Sequence, residues 1–170
     1  YLRQWWYAGI TSAGEQRGPY KNGLNEPLLR GKWDLMERGI RVPFLAVGPN
    51  IKPNSQSNEL IIGYDLMATF AELAGSSQEV PEDSDGVSIE PLLASPDAHL
   101  KRPPHGLIFH FPHYNQVGLN EPHSAIRAGN FKLVRFDQST RSLLFNVAVD
   151  LGETKDIAEA NAACVDKLEA

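Results

Sequence analysis

The chain has 170 residues, enough for one domain with a real core and too few for two ordinary ones. Apolar types make up 42% and charged types 22%, and the net charge is −5, so the composition is globular and no nucleic-acid footprint is expected. No apolar run approaches the roughly 18–20 residues of a membrane span, and a single cysteine, Cys164, excludes an internal disulfide or a multi-cysteine metal cluster. The chain opens at Tyr1, without Met or a leader pattern, and runs straight into Trp5, Trp6 and Tyr7. Large aromatics of this kind belong to a packed interior, so the expectation is a fragment, or a chain whose beginning lies elsewhere. Residues 11–25 read as a loop, and residues 30–41, charged and interrupted by Gly31 and Gly39, as loop or short helix. The apolar run 42–47 predicts a buried strand, closed by the Gly48-Pro49-Asn50 turn.

After a polar loop at 51–58, residues 65–74 carry Leu66, Phe70 and Leu73 at i, i+4 and i+7. This spacing predicts an amphipathic helix with Asp65 as N-cap and Gly75 as its stop. Residues 76–85 read as loop, 88–93 as a turn of helix, and 101–104 as a linker between two subregions, 1–100 and 101–170. Beyond the linker the period changes. Residues 107–111, 124–127, 131–136 and 142–146 are strand-like, with turns at Gly129-Asn130 and 137–141, and predict an antiparallel sheet of about four strands. Residues 156–168 predict a closing helix that covers this sheet, with Ile157, Ala160, Cys164 and Leu168 on one stripe and Cys164 a packed core thiol.

Several punctuated segments follow one another. They are Asn25-Glu26-Pro27-Leu28-Leu29-Arg30-Gly31-Lys32, Glu37-Arg38-Gly39-Ile40-Arg41-Val42-Pro43, Gly48-Pro49-Asn50-Ile51 and Tyr64-Asp65-Leu66-Met67-Ala68-Thr69. Next come Glu72-Leu73-Ala74-Gly75, Asp85-Gly86-Val87-Ser88-Ile89-Glu90-Pro91-Leu92-Leu93, Ala125-Ile126-Arg127-Ala128-Gly129-Asn130-Phe131-Lys132-Leu133, and Leu144-Phe145-Asn146-Val147 with Gly152-Glu153. Each motif alone is weak; their joint order and spacing carry the signal. The series resembles the C-terminal third of a sulfatase of the arylsulfatase type, within the alkaline-phosphatase-like superfamily. The resemblance implies an α/β fold class, with 1–100 belonging to the main sulfatase domain and 101–170 forming an antiparallel-sheet subdomain closed by its helix.

In that family a formylglycine made from Cys or Ser attacks the sulfur of a sulfate ester. A divalent metal, usually calcium, and fixed cations face the sulfuryl oxygens, where charge builds during the reaction. The family's nucleophile motif, Cys/Ser-x-Pro/Ala-x-Arg, is absent from these 170 residues. The resemblance therefore implies a missing N-terminal sulfatase domain, and neither turnover nor a bound calcium for this stretch alone. It also implies a sulfate-ester substrate, with a sulfated saccharide among the candidates, and a periplasmic or secreted location.

The resemblance assigns Lys32 as the catalytic, sulfate-binding cation; an ammonium with three donors suits an anion whose oxygens move during reaction. Arg30 and His113 are candidate substrate contacts, the latter in the Phe109–Tyr114 stretch, which resembles a segment at the substrate mouth of some sulfatases. Glu37 and Arg41, four apart, read as a structural ion pair holding the loop. Arg127 is expected to tie the sheet to the main domain through a carboxylate. The histidines His105, His110, His113 and His123 lack a carboxylate spaced to complete a zinc site, and no metal ligand is assigned.

Two departures matter. Arg38 stands where the family has Gly, and Thr11-Ser12-Ala13-Gly14-Glu15 stands where it has Thr-Ser-Asp-Asn/His-Gly, whose Asp and Asn/His hold the metal. Three readings stay open: part of a sulfuric-ester hydrolase, a non-catalytic sulfatase-derived module or pseudoenzyme binding an anionic saccharide or a protein partner, and a phosphodiesterase or phosphonate hydrolase of the same superfamily.

Overall fold

The computed structural model describes residues 27–28, 30–102, 105–114 and 121–169. They fall into two compact units, one drawn from 1–42 with 105–170 and the other from 43–104. The first unit is built on the period-2 runs. Strands β1 (Leu107–Phe111), β2 (His123–Ala128), β3 (Phe131–Phe136) and β4 (Ser142–Asn146) form an antiparallel meander in the order β1-β2-β3-β4. The β2–β3 turn has only two residues between the paired Ala128 and Phe131, and Gly129 supplies the positive φ of 55° that such a turn needs at its first position.

Alternation along the strands gives the sheet two faces. On one, Ala125, Val134, Phe136 and Phe145 pack with Leu35 and Met36, flanked by Ile40, Phe109, Phe111 and Leu143. The segment leading into the short helix α1 (Glu37–Ile40) therefore covers this face. The C-terminal segment joins the other: Asp156 accepts the Leu144 N–H, Ile157 donates to the Leu144 carbonyl, and the Arg135 guanidinium lies 3.3 Å from Glu169. The expected closing helix starts later than its periodicity suggests. Asp156 spends its carboxylate on Leu144 and Ala158, a single 3₁₀ turn follows at Glu159–Asn161, and helix α4 runs Ala162–Glu169. None of its residues is fully buried, so Cys164 is half-buried and not a core thiol.

The second unit holds helices α2 (Asp65–Leu73) and α3 (Glu90–Ala94). Gly75, at φ 72°, ends α2: its N–H reaches the Glu72 carbonyl and the Ser76 N–H the Ala71 carbonyl, a complete Schellman stop. The other end differs from expectation. Asp65 does not cap the helix but opens it; its carboxylate accepts the N–H groups of Ile62 (2.8 Å) and Val87 (3.1 Å) and pairs with Arg102. Thr69 accepts the Ile89 N–H at 3.0 Å. The buried face of α2 is thus polar, Asp65 and Thr69, while Phe70 and Leu73, expected inside, are exposed. Arg102, expected in a linker, is an organising contact that also donates to the Leu60 carbonyl. The run 42–47 forms no strand, and Val42, Phe44, Leu45 and Val47 are exposed. A strand needs a neighbour for its backbone groups, and the described residues give this run none.

Candidate functional site

Lys32 stands on a loop with two unusual backbone positions. Arg30 (φ 64°) and Trp33 (φ 82°) are both left-handed, a region in which a bulky residue costs about 1–3 kcal/mol and persists only when its surroundings impose it. The Lys32 ammonium lies 4.7 Å from the centre of the Trp33 ring, and both side chains face solvent. Behind the loop the chain turns inward: Gly31, Asp34, Leu35, Met36 and Glu37 are all buried. Asp34 Oδ1 accepts the Met36 N–H at 2.9 Å. The α1 turn is pressed against the loop, since a Cβ on Gly39 would lie 2.7 Å from the Gly31 carbonyl oxygen and closer still to that of Asp34.

Beneath this turn lies a buried ring of charge. Lys132, fully buried, places its Nζ 3.2 Å from Glu37 Oε1 and 2.8 Å from Glu153 Oε1. Glu153 Oε2 accepts the backbone N–H of Glu37 at 2.7 Å, closing the ring, and Arg41 pairs with the other Glu37 oxygen. Burial pushes the Glu37 carboxyl up, but the charges of Lys132 and Arg41 and their hydrogen bonds outweigh it and hold it below the usual range. Burial raises the Asp34 carboxyl to about 7, despite the Met36 N–H and the nearby Arg30 charge.

His123 ties the loop to the sheet. Its Nε2 accepts the Leu35 N–H at 3.2 Å and its Nδ1 faces the Glu121 carbonyl at 2.7 Å, which places the proton on Nδ1. Burial lowers its pKa, so the ring is neutral. A run of ring contacts leads outward: Phe136 to His123 at 5.8 Å, His123 to Phe111 at 5.6 Å, and Phe111 edge-on to His113 at 5.4 Å.

Of the residues singled out from sequence, Lys32 and His113 are exposed, and Arg30 is half-buried, near enough to Asp34 and His123 for its charge to act on both. Glu37 and Arg41 are ion-paired, with Lys132 as the further partner of Glu37. The described hydrogen bonds of Arg127 run to the Gly129 and Phe131 carbonyls and brace its own hairpin, while the Glu37 and Glu153 carboxylates lie near enough for their charge to act on it. Lys132 and Glu153 went unassigned. Strand alternation carries the signal for Lys132, because 132, 134 and 136 share the buried face. Ala13-Gly14 and their neighbours lie outside the described residues. Among the described residues, no three His, Cys, Asp or Glu side chains converge as a metal site, so they do not fit the implied calcium, which takes about six to eight oxygens.

The comparisons with known proteins agree with this architecture. A family model described as N-sulphoglucosamine sulphohydrolase, C-terminal, matches residues 30–168. An ulvan-active sulfatase of Formosa agariphila is 38% identical over 109 residues, covering 62% of this chain and 20% of that protein. Arylsulfatase A of Bos taurus is 35% identical over 116 residues, covering 66% and 21%. The chain thus spans about a fifth of the length of these relatives. A solved complex of a protein with its substrate, D-glucosamine-2-N,6-O-disulfate, superposes with a TM-score of 0.56 at 26% identity, over 70% of this chain and 25% of that one. A chain from glycosaminoglycan metabolism of Bacteroides thetaiotaomicron shares the fold, with a TM-score of 0.61 at 23% identity over 84% and 30%.

Proposed function

This chain belongs to the N-sulphoglucosamine sulphohydrolase C-terminal family, and from that membership we propose that it is the C-terminal portion of a sulfuric-ester hydrolase acting on a sulfated saccharide. The substrate class is supported by the ulvan-active relative and by the neighbour solved with a sulfated glucosamine. Lys32 is the residue that binds the sulfate, with Arg30 and His113 as further substrate contacts. The observation that carries this reading is the loop itself. A solvent-facing lysine stands between two left-handed non-glycine residues, on a backbone whose next turn is buried and ion-locked. Such conformations concentrate where a side chain must be held for a ligand.

Cleavage of a sulfate ester moves negative charge onto the sulfuryl oxygens and the leaving oxygen. An ammonium held against them stabilises the transition state more than the ground state. The nucleophile motif of such a hydrolase lies outside these 170 residues, and in this reading the chain supplies a sulfate-binding cation and a wall of the pocket. Lys32→Ala is expected to lower turnover of 4-nitrophenyl sulfate by the complete gene product about 10²–10³-fold, with the thermal midpoint within about 2 °C of the parent. The 170-residue chain alone turns over none. Turnover by the chain alone, or an unaffected variant, would place the chemistry elsewhere. A non-catalytic module is favoured by one feature, Ala13-Gly14 at the family's metal-ligand positions, and it requires the complete gene product to bind sulfate without turnover.

A further inference from the structure

Lysine is among the residues least often fully buried, and Lys132 is fully buried on a strand whose inward neighbours are Val134 and Phe136. Burying its charge beside two carboxylates is not needed for stability, since well-packed apolar residues of the same volume often serve as well or better. What the ionic arrangement adds is direction. Each member of the Lys132–Glu37–Glu153 ring holds the next, so the place of Glu37 is fixed both through its side chain and through its backbone N–H. Glu37 opens α1, and α1 is in backbone contact with Gly31 and Asp34 through Gly39. A shift of Glu37 therefore moves the two residues that flank Lys32-Trp33.

We infer that Lys132 is a positioning residue for Lys32, acting through Glu37 and held in turn by Glu153. The inference rests on the reading of Lys32 as the sulfate-binding cation. Lys132 touches no substrate; it holds Glu37, and with it the α1 turn, against the Lys32 loop. Arg41, on the far oxygen of Glu37, steadies the same carboxylate from the solvent side.

The test is a double-mutant cycle in the complete gene product with 4-nitrophenyl sulfate. Lys132→Met is combined with Glu153→Gln, which removes one cation and one anion and leaves an amide oxygen for the Glu37 N–H. In the parent background this pair is expected to lower kcat about 10–30-fold with KM within about two-fold. In the Lys32→Ala background it lowers kcat less than about two-fold, because no ammonium is left to mis-aim. An equal fold-loss in both backgrounds means the ring serves only the fold, and overturns the proposal. Should the paired variant not fold, Glu153→Gln alone enters the same cycle, with a loss of about three-fold expected in the parent background only. If Lys32→Ala by itself has no effect, or the complete gene product does not turn over the sulfate, the reading of Lys32 fails and this inference with it. That result is separable from a failure of the ring alone.

Discussion

Asp34 follows Lys32 by two positions and is only 4% exposed, so its carboxyl feels the fold more than the solvent. Burial raises it from 3.8 to about 7, which means that between those values the folded chain holds a proton that the unfolded chain releases. Its contribution to stability is fully present below about pH 4 and is lost as the pH rises to about 7. Glu37 runs the other way: held low by its cations, it adds stability above the usual carboxylate range and loses it as the pH falls. Asp34→Asn keeps an oxygen for the Met36 N–H and removes the titration. Its urea midpoint relative to the parent is expected to rise between about pH 5 and about pH 8. A difference that stays flat with pH would show that the Asp34 carboxyl is ordinary. The pairing of Glu37 with Arg41 was legible from their i, i+4 spacing, whereas the partnership with Lys132 was not. It joins residues 95 positions apart, and only the fold brings β3 under α1.

At the scale of elements, legibility followed the source of the signal. All four strands appear in the sequence because each carries its own period-2 pattern and turn residues, and β3 and β4 begin and end where that pattern does. The run 42–47 is just as apolar but forms no strand, since apolar character cannot supply the backbone partners a strand requires. The i, i+4, i+7 spacing marks helix α2 but not which stripe is covered, and in the structure the polar Asp65 and Thr69 are buried while Phe70 and Leu73 are exposed. Helix α1 is too short for any periodicity, and the residue that defines it is Gly39. In an exposed helix Gly→Ala gains up to about 1 kcal/mol. Here the added methyl would meet the Asp34 and Gly31 carbonyl oxygens, and backbone must move to admit it. Gly39→Ala is therefore expected to destabilise by about 2 kcal/mol or more, read from the urea midpoint. A neutral or stabilising result would mean that α1 is not pressed against the Lys32 loop.

At the scale of the whole molecule, the second unit is organised by polar contacts, not by an apolar core. Asp65 gathers Ile62, Val87 and Arg102, Thr69 holds Ile89, and among the described residues of this unit Ile89 is the one fully buried apolar side chain. The apolar side chains that would ordinarily supply a core lie outside: Met67, Phe70 and Leu73 are each more than half exposed on one stripe of α2, and Phe44, Leu45 and Val47 are exposed as well. Soluble monomers rarely leave contiguous apolar patches beyond about 300–600 Å² uncovered, and larger ones drive association. The proposed placement of this chain within a larger hydrolase gives these residues a use, because a main domain needs just such a surface to pack against. The consequence for the isolated 170-residue chain is measurable. It is expected to enhance the fluorescence of an apolar dye such as anilinonaphthalene sulfonate and to self-associate as its concentration rises. Met67→Lys combined with Phe70→Glu places charge on the exposed stripe and leaves Asp65 and Thr69 untouched, so both effects should fall while the thermal midpoint holds. A chain that stays monomeric and leaves the dye dark would show that α2 is an ordinary solvent-facing helix, and the larger-hydrolase placement would lose that support.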